Sequence, residues 1–149
     1  MTISEAQSEV RSTYIGGFVG QLVSGSLWLA SCAASTWASK GAGIVVLMAG
    51  GVFIYPVTQA VLRAMARKAS LPPGNPFREL SIEVAFMVPL LLPLAIASTI
   101  HRAEWFYPAA AVVVGAQYLP FAFVYGMRLF MALSGTLVAI GIGICILRT

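Results

Sequence analysis

Within the apolar stretches of this 149-residue sequence, the side chains best suited to bind or move a polar group are Glu83, Gln21, Tyr55, Gln59, Gln117, Tyr118 and Tyr125. One carboxylate among amides and phenols suits the binding of a small polar solute or cation, or a single proton transfer. An ionised side chain deep in a bilayer costs roughly 2.5–3.5 kcal/mol on insertion scales, so Glu83 is expected to find a counter-charge. Arg63 and Arg128, which end or follow neighbouring apolar stretches, are the candidates for that ion pair. The alternatives are a coupling proton or cation site, or a carboxylate that snorkels to headgroups. The residue inventory excludes more than it offers. There is no Asp, one His, two Cys and five Glu, so neither a paired-Asp metal clamp nor a Ser-His-Asp triad nor an all-cysteine zinc site can be assembled in one chain. No enzyme activity, metal or cofactor is therefore expected. His101 alone cannot supply a bis-histidine haem, and Cys32 and Cys145 read as isolated thiols before they read as a disulfide or a soft-metal site.

The elements that must carry these residues follow from composition. With 59% apolar and 9% charged residues and a mean hydropathy of +0.89, the chain lies far from the balance of a water-soluble domain. A bilayer core of about 30 Å takes about 20 apolar residues per helix. Five stretches qualify: about 14–36, 41–62, 80–100, 108–125 and 129–147. The expectation is an all-α, polytopic membrane protein, one bundle of five transmembrane helices in a single domain. The one substantial loop, from Arg63 to Glu79, carries Arg63, Arg67, Lys68 and Arg78 around the turn-forming Leu71-Pro72-Pro73-Gly74-Asn75-Pro76.

With five spans, Arg11, Arg128 and that loop share one side, leaving Lys40, Arg102 and Arg148 on the other. The positive-inside rule then places the N-terminus in the cytoplasm, with Trp37, Trp105, Phe106 and Tyr107 as an aromatic belt at the outer interface. The net charge of +4 sits at helix ends with no basic run interleaved with aromatics, which points to anionic lipid and not to nucleic acid. Leu29-Ala30-Ser31-Cys32 matches a lipoprotein cleavage pattern, but the preceding segment carries Glu5 and Glu9 where a basic cluster belongs, so an uncleaved first helix is expected.

Small residues recur at spacing four, Gly16, Gly20 and Ser24 beside Gly17, Gln21 and Gly25 in the first span, and Gly135, Ala139 and Gly143 in the fifth. These are surfaces for close helix approach, within the chain first and between copies second. Pro56, Pro89, Pro93 and Pro120 lie inside spans and bend helices or, more sharply, line a cavity. The outlines Tyr55-Pro56…Arg63 and Tyr118-Leu119-Pro120…Arg128 hint that helices one and two repeat as three and four. By depth, Gln21, Tyr55, Gln59, Glu83 and Tyr125 fall in the cytoplasmic half, with Gln117 and Tyr118 near the midplane. Such a set suits either a pocket open to the cytoplasm or hydrogen bonding from helix to helix.

The stretches Asn75-Pro76, Trp105-Phe106-Tyr107-Pro108-Ala109, Gly115-Ala116-Gln117-Tyr118-Leu119-Pro120-Phe121 and Tyr125-Gly126-Met127-Arg128 resemble a family of small bacterial multi-pass membrane proteins with no assigned function. The resemblance runs from Tyr14 to about Leu137 and implies a bacterial inner-membrane setting. That family often has His where this chain has Gln117, so a role carried by that His does not transfer. Two functions follow as expectations. The first is a small oligomeric carrier or channel-like protein for a small polar solute or cation, since five short helices enclose little alone. The second is a non-catalytic membrane subunit or scaffold that docks partner helices.

Overall fold

Six helices and two short turns of 3-10 helix make up the fold in the computed structural model, which describes residues 1–147. Arg148, counted above among the cations, lies outside the described residues. The helices are α1 (Ile3–Thr13), α2 (Phe18–Trp37), α3 (Lys40–Ala64), α4 (Phe77–Ser98), α5 (Phe106–Tyr125) and α6 (Arg128–Leu147). No strand occurs among the described residues. With their flanking turns, α2 to α6 form five segments of 20 to 25 residues, each long and apolar enough to cross a bilayer. At 1.5 Å per residue even the shortest reaches about 30 Å.

The expected spans match these helices to within a few residues, but α1 lies wholly before the first of them. Its start is fixed by a reciprocal cap. The Glu5 backbone N–H donates to the Thr2 hydroxyl at 3.3 Å, and the Thr2 N–H donates to the Glu5 carboxylate at 2.7 Å. Ala6, Val10 and Thr13 recur at helical spacing and are buried, which makes α1 amphipathic.

The chain divides into two compact units, Met1–Leu80 and Ser81–Thr149. In the first, α2 and α3 pack as a tight hairpin, the Ser39 hydroxyl capping α3 by accepting from the Ala42 N–H at 3.0 Å. The buried Ser31 hydroxyl donates to the Gly43 carbonyl at 2.7 Å, and Leu27 fills the space a side chain at Gly50 would need. Gly16 and Gly17, read above as part of a packing stripe, instead make the break between α1 and α2. Ile15, Gly16 and Gly17 take φ of 52°, 61° and 83° in succession. Glycine takes this left-handed backbone at little cost, whereas a β-branched residue such as Ile15 loses on the order of 1–3 kcal/mol.

In the second unit α5 and α6 are the close pair, in contact through Gly115 and Gly141. A Cβ on Gly141 would stand 2.6 Å from the Pro108 carbonyl oxygen. Gly135 and Gly143, expected on a surface for close helix approach within the chain or between copies, have nothing within 4 Å of a built Cβ. The face α6 buries is Phe130, Ser134 and Gly141, and Gly135 stands one position on from Ser134, about 100° round the helix. The close helix pairs are α2 with α3 and α5 with α6, that is, the first span with the second and the fourth with the fifth. Each helix continues unbroken past its proline.

Candidate functional site

In the first unit the polar residues gather where α1, the end of α3 and the loop before α4 meet, and Asn75 organises them. Its Nδ2 donates to the Ala6 carbonyl at 3.2 Å and to the Glu9 carboxylate at 2.7 Å. Its Oδ1 accepts from the Phe77 N–H at 2.8 Å, so Asn75, across Pro76, caps the first N–H of α4. At 4% exposure, Asn75 closes the loop against α1 from inside.

Tyr14, at the end of α1, lies near Tyr55, the Leu71 backbone and Arg78. Burial, followed by proximity to the Tyr55 phenol, pushes the Tyr14 phenol up, while a hydrogen bond with the Leu71 backbone and the Arg78 guanidinium oppose the shift. Tyr14 therefore stays a neutral hydroxyl, able to donate and to accept.

One turn along α3 from Tyr55, on the same face, stands Gln59. Its side chain is 9% exposed and has no hydrogen-bond partner among the described residues. An amide placed so costs about 1–3 kcal/mol relative to a satisfied one. The amide keeps a small accessible surface, unlike the Trp105 indole N–H, which is enclosed without a partner. Gln21 is half-buried on α2 and already partnered.

In the second unit the candidates Gln117, Tyr118 and Tyr125 lie among packed side chains. Gln117 is buried and its Nε2 donates to the Val84 carbonyl at 2.7 Å, tying α5 to α4. Tyr118 and Tyr125 are buried and, with the half-buried Phe121, surround Phe130 at ring separations of 5.0 to 6.3 Å. The seven expected pocket residues thus divide, Gln21, Tyr55 and Gln59 in one unit and Glu83, Gln117, Tyr118 and Tyr125 in the other.

Glu83 is exposed on α4, and among the described residues it has no hydrogen bond and no ion pair. Arg63 and Arg128, its expected partners, are exposed and likewise unpaired among those residues. Each of the two arginines sits at a helix end, where a long cationic side chain reaches water more cheaply than it turns inward to a carboxylate. Among the described residues no three of His, Cys, Asp and Glu are placed to hold a metal ion, and both cysteines are free.

Sequence reasoning missed Tyr14, Arg78, Glu9 and the role of Asn75. The Asn-Pro pair at a helix start was the available signal for the last of these.

Five apolar spans in an all-helical chain define a multi-pass membrane protein. Residues 3–149 match the model of a family of unknown function, DUF7010, and the chain belongs to that family. No curated protein and no solved structure matches it.

Proposed function

We propose that this protein is a small oligomeric carrier or channel-like protein of the bacterial inner membrane, with its N-terminus in the cytoplasm, and that it engages a small polar solute through Gln59, Tyr55 and Tyr14. The observation that carries this reading is the amide of the buried residue Gln59, which has no hydrogen-bond partner among the described residues and shares a face of α3 with Tyr55, itself near the Tyr14 phenol. An amide and hydroxyls offer donors and acceptors to a neutral or zwitterionic solute, and Arg78, beside Tyr14, favours one bearing a carboxylate. The strained Ile15 adjoins Tyr14, and strain of this kind collects where a segment must engage a ligand or move. The orientation rests on Arg11, Arg63, Arg67, Lys68, Arg78 and Arg128 on one side of the membrane against Lys40 and Arg102 on the other.

A residue kept for structure destabilises the protein when removed; one kept for a ligand does not destabilise the empty protein. Gln59→Leu is therefore expected to unfold no earlier than wild type in lipid nanodiscs. Thermal unfolding measured across a panel of small amides, polyols, amino acids and carboxylates should find a solute class that stabilises the wild type. A solute at a hundred times its Kd would add about 2.7 kcal/mol. That stabilisation should vanish in Gln59→Leu. A panel with no stabilising solute, or stabilisation that persists in the variant, refutes the proposal.

A further inference from the structure

Glu83 stands six residues after Phe77, about 9 Å along a helix that otherwise presents Phe86, Met87, Leu90 and Leu94 outward. An exposed carboxylate in such a band faces hydrocarbon unless something polar covers it. Among the described residues nothing within the chain does. The complementary group is Arg128, exposed and also unpaired, at the start of α6. α4 and α6 are separated by the single crossing of α5, so they run in the same direction and begin on the same side of the membrane.

The two outward faces also match in pitch and in size. Glu83, Met87, Leu90 and Leu94 follow steps of four, three and four, and so do Arg128, Ala132, Gly135 and Ala139. The first face carries bulky side chains and the second small ones, with open space over Gly135. Bulky residues seated over small ones let parallel helices approach closely, and a small axial offset between the helices together with the reach of the arginine side chain covers the difference in depth.

We infer that α4 of one copy packs against α6 of a second copy of this chain, with Glu83 paired to Arg128 of that copy. The inference deepens the oligomeric part of the function proposed above. It leaves the Gln59 solute site aside, and that site is read by a different assay.

The test is the mass of the full-length protein in nanodiscs and mild detergent, for wild type, Glu83→Arg, Arg128→Glu and the double exchange. The wild type should assemble, each single exchange should raise the dissociation constant about tenfold, and the double exchange should recover most of that loss. Glu83→Gln, which adds no repulsion, should weaken assembly by a smaller factor and covers the case in which a reversed charge prevents insertion. A monomeric wild type, single exchanges without effect, or a double exchange no better than either single would overturn the inference and assign Glu83 to lipid headgroups. Solute stabilisation dependent on Gln59 in a monomeric wild type would overturn only the interface.

Discussion

Replacing Gly141 with valine is expected to unfold the α5–α6 pair. A Cβ at this position would lie 2.6 Å from the Pro108 carbonyl oxygen, 2.7 Å from Val112 Cγ2 and 3.3 Å from the Val112 backbone nitrogen. Two of those three atoms are backbone, so a rotamer change cannot make room and the helices must separate. Overpacking of this kind costs about 1–3 kcal/mol, and the two methyl groups of valine place the variant at the upper end. Gly135→Val is the internal control. It lies on the same helix with nothing within 4 Å of its Cβ and should stay within about 0.5 kcal/mol of wild type as a folded monomer. Unfolding titrations in mixed detergent micelles read both variants, and equal losses would contradict the helix pairing described here.

Asn75→Ala should release α1 from the loop. The change removes two donated hydrogen bonds, to Ala6 and Glu9, and the cap of α4. A lost cap costs about 0.5–2 kcal/mol, and a buried acceptor left without its donor about 1–3 kcal/mol. Hydrogen exchange by mass spectrometry should show faster exchange in residues 3–13 and 71–77, with α2 and α3 still protected. Asn75→Asp separates the two roles, since its carboxylate can cap α4 but repels Glu9 and donates nothing. It should free α1 while holding the start of α4. Unchanged exchange in α1 in either variant would refute the part assigned to Asn75.

The lipid-spanning helices were legible because their signal is a sum over about 20 residues that no single side chain can cancel. α1 was not, because its signal is a pair of cap residues and three small buried positions in a polar context. The small-residue stripes were visible as spacing, but spacing does not say which face meets a neighbour. Gly135 and Gly141 lie on different faces of α6, about 240° apart by rotation, and the packing selects Gly141. Gln59 was named from its residue type and depth, whereas its want of a partner depends on where every neighbouring group falls. For Glu83 the sequence admits an ion pair, a proton or cation site or a carboxylate that snorkels to headgroups, and it cannot choose among them because the choice depends on which groups fall beside it; no partner for it occurs among the described residues.

The central claim is that the Gln59 amide meets something other than this chain. A structure of the protein determined in lipid, at a resolution that shows side-chain hydrogen bonds, tests it most directly. Non-protein density larger than one water, about 3 Å from the amide and reached also by Tyr55 or Tyr14, is the predicted result. An amide closed by the protein's own groups, or bonded to a lone water, would contradict it.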